Sequence, residues 1–268
     1  MKTFRWLLIA GVLVQSGCGG SEPSNDAPDE TPRTPSITYS IVASYPHDTS
    51  SFTQGLAFYD GKLLEGTGNY ERSKLLEIDL ATGRPVREIK LDARQFGEGI
   101  TILNDTVYQL TWQEHVVNVY SAKDFRKIKE FKLNTEGWGI THDSSSLIVT
   151  DGSSNLYYYD PATFRLQKVQ AVLENGSPAV NLNEIEYING FVYANQWQYN
   201  YILKIDPGTG QVVGKLDLTQ EVNRMKTRVP DMDGKGAYLN GIAFNPKTNK
   251  IYITGKYWPE LLEIQFEH

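Results

Sequence analysis

Five times along the chain a short run of one pattern recurs, centred on glycine in all but the fourth, where Glu184 replaces it: "TQGLA" at residues 53–57, "GEGIT" at 97–101, "GWGIT" at 137–141, "LNEIE" at 182–186 and "LNGIA" at 239–243. Each run leads through a turn into a second apolar run: "KLLEGTG", "TVYQLTWQ", "SLIVTDGS", "FVYANQWQ" and "KIYITGKYW". The turns carry residues suited to tight hairpins, such as Asp60-Gly61, Asn104-Asp105 and Asn189-Gly190. A third run follows ("KLLEIDL", "VVNVYSA", "NLYYYDP", "YILKIDP", "ELLEIQF"), and four of the repeats add a fourth ("RPVREIKL", "RKIKEFKL", "RLQKVQAV", "QVVGKLDL"). The first three steps are spaced roughly 40–45 residues apart and the last is longer. Four short strands at that period are the signature of a β-propeller blade.

The expected fold is therefore all-β: a five-bladed β-propeller over residues 37–268. The fifth repeat has no fourth strand of its own before His268. The segment 37–45, "ITYSIVASY", is a strand without a repeat and is expected to complete the last blade, closing the ring and removing a sheet edge. High aromatic content, 12% with 16 tyrosines, suits strands. One departure is "DLTQEVNRM" at 217–225. It reads as a short helix, with Asp217 and Gln220 as a capping pair and Leu218, Val222 and Met225 on one apolar face. This helix and the glycine-rich loop that follows, within residues 221–238, are expected to form one wall of a site.

Ahead of the propeller, residues 1–17 place Lys2 and Arg5 before an apolar run too short to span a bilayer, ending in small residues before Cys18. The pattern is similar to a bacterial lipoprotein signal, although Gln15 stands where such signals usually carry leucine. It implies a lipid on Cys18 and an extracytoplasmic, membrane-anchored protein, periplasmic or at the cell surface. An ordinary signal peptide with an incidental cysteine is the alternative. Residues 18–36 are acidic and proline-rich and read as a flexible tether. Cys18 is the single cysteine, so an intrachain disulfide is impossible and the fold must rest on its apolar core. The net charge of −6 argues against a nucleic-acid partner. A monomer is expected.

In a propeller the innermost strands line the axis, and the strand following each one returns to the same face. Two sets of side chains should then meet at one mouth. One set occupies the slot before the recurrent glycine: Gln54, Glu98, Trp138, Asn183 and Asn240. The other ends the second strands: Trp112, Trp197 and Lys256. Repeats that share a framework and differ in one slot point to an asymmetric site. His47, His115, His142 and His268 lack metal-ligand spacing. No nucleophile elbow or phosphate loop is present. The remaining chemistry is one carboxylate, one lysine, carboxamides and indoles, a set fitted to proton transfer and to binding an uncharged polar group.

The runs "SFTQGL", "FGEGIT", "EGWGIT", "LNEIEYINGFVYANQW" and "LNGIAF…ITGKYWP" resemble, in order, those of the glutamine cyclotransferase family, the plant-type glutaminyl cyclases. The resemblance extends from about Ile37 to Phe266. It implies a five-bladed propeller that converts the N-terminal glutamine of peptides or proteins to pyroglutamate and releases ammonia, with no cofactor and no required catalytic metal. It also implies the site residues. The family's Phe-x-Gln motif falls on Phe52 and Gln54, and its Phe-x-Glu motif on Phe96 and Glu98, with Glu98 catalytic. Its pocket tryptophans fall on Trp112, Trp138 and Trp197, its asparagine on Asn183, and its lysine on Lys256, expected to act beside Glu98. Two other readings are a non-catalytic peptide-binding propeller at the cell envelope and a metal-dependent propeller hydrolase. The latter would need several acidic or amide ligands on one cation.

Overall fold

The computed structural model describes residues 33–267. The leader reading, Cys18 and most of the tether lie outside the described residues, as does His268. Five four-stranded antiparallel sheets are arranged as the blades of a propeller. The innermost strands are Thr53–Tyr59, Gly97–Leu103, Ile140–His142, Leu182–Ile188 and Leu239–Asn245, each packed against its neighbours around the axis. The fifth blade runs outward through Lys250–Gly255 and Glu260–Gln265 and ends on Ser40–Pro46, as the unpaired N-terminal run suggested. The register sets Ile41 opposite Ile264 and Pro46 opposite Glu260. Pairing with the fourth blade starts before this strand. Lys215 N–H donates to the Pro35 carbonyl at 2.9 Å, and Ile37 N–H donates to the Lys215 carbonyl at 2.8 Å.

The second and third strands are apolar runs because blades cover both of their faces. The core is accordingly divided into five clusters, one in each gap between blades. Leu64, Leu75, Ile100 and Val107 fill the gap between blades one and two; Leu56, Leu63, Ala243 and Tyr252 fill that between five and one. The outer strands, such as "RPVREIK" and "KIKEFK", are largely exposed and charged, which discourages edge-to-edge pairing. Hairpin turns adopt the left-handed backbone their residues favour: Asp60 and Gly61 have φ of 52° and 84°, Asn189 and Gly190 of 47° and 92°. A further small hairpin, Leu173–Glu174 with Ser177–Pro178, turns on Asn175-Gly176 and was not anticipated from the repeats.

The helix spans Thr219–Lys226 and buries Leu218, Val222 and Met225 against blades four and five. The expected capping pair does not form. Asp217 still belongs to the outer strand Val212–Asp217, paired with Tyr201, so the helix starts two residues later. The Asp217 carboxylate accepts instead from Thr219 N–H at 2.9 Å, and the N-cap position falls on Leu218.

Candidate active site

Four of the five innermost strands carry a β-bulge at the glycine-centred slot. The register slips between Thr53 and Gly55, Gly97 and Ile100, Leu182 and Ile185, and Leu239 and Ile242. One extra residue in each strand breaks the alternation and re-aims the slot side chain. The glycine that follows permits the close approach of the next inner strand. A Cβ on Gly139 would lie 2.1 Å from the Asn183 carbonyl oxygen, and one on Gly99 2.7 Å from that of Trp138. Blade four has Glu184 in place of this glycine. Its side chain extends across the channel, accepting from Leu56 N–H at 3.3 Å and Ile242 N–H at 2.8 Å.

The slots and the ends of the second strands converge on one cavity of about 340 Å³. It is lined by Phe52, Gln54, Phe96, Glu98, Trp112, Trp138, Asn183, Trp197 and Lys256. The structure thus brings together all nine sequence-derived pocket residues. Asn240 lies just beneath, donating from Nδ2 to the Thr53 carbonyl at 3.0 Å and to Gln54 Oε1 at 3.2 Å. From within the strand Leu239–Asn245 it satisfies a backbone group and also fixes the Gln54 carboxamide. Asn183 Oδ1 is buried and has no hydrogen-bond partner among the described residues, an acceptor held ready for a ligand.

The walls are aromatic and mutually braced. Phe96 meets Phe52 edge-on at 6.0 Å and Trp112 at 5.7 Å; Trp138 meets Trp197 at 5.6 Å. Two orienting residues escaped the sequence reading. Glu136 Oε2 accepts from both Trp112 Nε1 (2.8 Å) and Trp138 Nε1 (3.1 Å), locking two indoles to one carboxylate. Glu114 accepts from Phe96 N–H at 3.1 Å and from the Tyr70 hydroxyl at 2.9 Å. The available signal was position alone: Glu136 stands two residues before Trp138, and Glu114 two after Trp112.

Electrostatics set the chemistry. Glu98 is 5% exposed, and burial pushes its pKa well above the usual carboxylate range. Lys256 opposes this, while the carboxylates of Glu114 and Glu136 add to it. Lys256 is also 5% exposed; burial pulls its pKa down to about 8 against the pull of Glu98. Its ammonium lies 4.5 Å from the centre of the Phe52 ring. A protonatable carboxyl thus shares an aromatic-walled cavity with a cation. Such a pair can move a proton and stabilise a developing oxyanion.

The sequence profile of the glutamine cyclotransferase family matches residues 13–266. The chain belongs to that family. Among curated relatives of this glutamine cyclotransferase family member is the glutaminyl-peptide cyclotransferase of Arabidopsis thaliana. It is 36% identical over 231 residues, which take in 85% of this chain and 71% of the plant protein. Among solved structures, the glutaminyl cyclase of Myxococcus xanthus superposes with a TM-score of 0.82 at 34% identity, covering 88% of this chain and 99% of that one.

Proposed function

We propose that the protein cyclises the N-terminal glutamine of peptides and proteins to pyroglutamate, releasing ammonia, and that this cavity is where it does so. The observation that carries the reading is the Glu98 carboxyl, buried with a raised pKa beside the Lys256 ammonium inside a cavity walled by three indoles. The α-amine of the substrate attacks the side-chain amide carbon; a carbon–nitrogen bond to the ring nitrogen forms and the bond to the departing nitrogen breaks. Glu98 gives its proton to the departing nitrogen and takes one from the attacking nitrogen, ending in its starting state as ammonia leaves. The substrate amine, with an ordinary pKa of about 8, is neutral in about one molecule in ten at pH 7, and it is this fraction that attacks. Lys256 and the NH2 end of Gln54 face the oxygen that gains charge. Asn183 Oδ1 accepts an N–H of the substrate. The indoles hold the chain folded for ring closure, where positioning supplies much of the rate because the attack is intramolecular.

No step calls for a metal, and we propose that the activity is metal-independent; unchanged turnover after exhaustive chelation is the expected result. Among the described residues no group of three or more His, Cys, Asp or Glu is placed to hold a metal ion. The main test is ammonia release and pyroglutamate formation from a Gln-initiated peptide. Glu98→Gln is expected to lower kcat by about 10²–10⁴-fold with the fold retained; near-normal turnover would remove Glu98 from the chemistry. The leader pattern supports a further proposal, that Cys18 carries a lipid and the enzyme acts as a monomer at an extracytoplasmic membrane surface. Cys18→Ser is expected to move the protein from the membrane to the soluble fraction.

A further inference from the structure

Beside the cavity described above lies a second one, about 550 Å³ in volume, lined by Thr49, Arg72, Arg228, Val229, Pro230, Lys235 and Tyr257. Its character is opposite to that of the acidic molecule around it, because three cations and no carboxylate line it. Arg228 shares Glu260 with Arg224. Arg72 and Lys235 have no ion-pair partner among the described residues, so their charge is available to a ligand.

The two cavities are separated by one lip, the Phe52 and Tyr257 rings, whose centres lie 5.2 Å apart. Phe52 lines the first cavity and Tyr257 the second. Tyr257 directly follows Lys256 and has a φ of 61°, a left-handed conformation unusual for an aromatic residue. It is held there by Tyr257 N–H donating to the Ser51 carbonyl at 2.7 Å and by Asn69 Nδ2 donating to its hydroxyl at 3.0 Å. This turn sends consecutive side chains to different places: Lys256 into the first cavity and Tyr257 to the wall of the second. Around the first cavity, the Trp112 side carries the carboxylates of Glu114 and Glu136. The surroundings are therefore polarised, with carboxylates on the Trp112 side and cations beyond the Phe52–Tyr257 lip. A peptide advances about 3.3–3.6 Å per extended residue, so one or two residues past the N-terminal glutamine clear the lip.

We propose that this second cavity is a subsite for a carboxylate carried by the substrate just downstream of its N-terminal glutamine, either an acidic side chain or the C-terminal carboxylate of a short peptide. The proposal rests on the cyclotransferase reading and narrows its substrate class. Four peptides test it: Gln-Ala-Ala-amide, Gln-Ala-Ala with a free C-terminus, Gln-Ala-Asp-amide and Gln-Ala-Asn-amide. KM is measured by ammonia release with the wild-type protein, and Kd by indole fluorescence with Glu98→Gln, which reads binding even without turnover. The carboxylate-bearing peptides are expected to show about fivefold lower KM and Kd than their neutral counterparts at low salt, with the ratio falling toward one in 0.5 M salt. Preference for the free C-terminus alone, or for the aspartyl peptide alone, identifies the source of the carboxylate. In Arg72→Gln/Lys235→Gln the preference is expected to collapse; its survival there would overturn the location. Equal affinity for all four peptides would overturn the subsite. Carboxylate-selective binding with no ammonia released from any peptide would refute the cyclase reading and leave the subsite standing.

Discussion

Glu98 sits where ionisation is opposed, and this has consequences for stability as well as for catalysis. Its native pKa lies above the unfolded value of about 4.3 through burial first, with Glu114 and Glu136 adding to the shift and Lys256 opposing it. A carboxyl whose native pKa is raised binds its proton more tightly folded than unfolded. Its contribution to stability therefore declines as pH rises from the unfolded value through the native one. Glu98→Gln removes that decline. Urea unfolding of both proteins at pH 5 and pH 8 is expected to show the variant gaining on the wild type toward pH 8. A constant difference would mean that the carboxyl is not held protonated. Lys256 titrates in the opposite sense: its ammonium is lost as pH rises through about 8. If that charge stabilises the oxyanion, kcat/KM, referred to the neutral-amine form of the substrate, falls along an alkaline limb near 8. Lys256→Arg, charged across the whole range, is expected to be slower overall but to lack the limb. A limb that stays at the same pH in the variant would assign it to another group.

At the scale of strands, the site depends on bulges in four of the inner strands and on the slot glycines in four, which coincide in three. Gly139→Ala would drive a methyl into the Asn183 carbonyl, which also accepts from Thr150 Oγ1 at 2.6 Å. Neither backbone can yield without moving the inner strand of blade four. A loss of about 1–3 kcal/mol in urea unfolding is expected, with a raised KM because Asn183 moves with its carbonyl. Gly208→Ala, where the added methyl would meet the Asp206 carboxylate at 3.2 Å, is the control and is expected to stay within about 0.5 kcal/mol. These two substitutions also mark what the sequence makes legible. The recurrence of "GEGIT"-like runs revealed the strands, the tight turns and the slot, because turn chemistry and apolar runs are local properties. The bulges were not legible, since a register slip is a property of two strands. Glu136 was invisible for a similar reason: its role comes from indoles that only the closed ring brings to one carboxylate. The capping pair at Asp217 failed because pairing with Tyr201 outweighed a local preference.

At the scale of the molecule, the ring is closed by a strap and not by a covalent bond. The segment 35–37 is pinned to the outer strand of blade four, and Ser40–Pro46 then supplies the outer strand of blade five. Most of the strap is exposed; backbone hydrogen bonds, each contributing roughly 0.5–1.5 kcal/mol, hold it, together with Ile37, Tyr39 and Tyr45, which pack against the core clusters. Tyr45 adds a hydroxyl hydrogen bond to Glu263 at 2.8 Å. A protein lacking residues 1–32 keeps every one of these contacts and is expected to unfold in one cooperative transition with full activity. Removal through residue 46 uncovers the edge of Glu260–Gln265, the strand paired with Lys250–Gly255, which Lys256 directly follows. That truncation is expected to lose several kcal/mol, to associate through the bared edge and to release no ammonia. A synthetic peptide of residues 33–46 should restore activity in trans, because it rebuilds the missing ladder without a chain connection. Restoration would show that Lys256 depends on the closed blade. Full activity in the long truncation without the peptide would show that four blades and a three-stranded fifth hold the cavity by themselves.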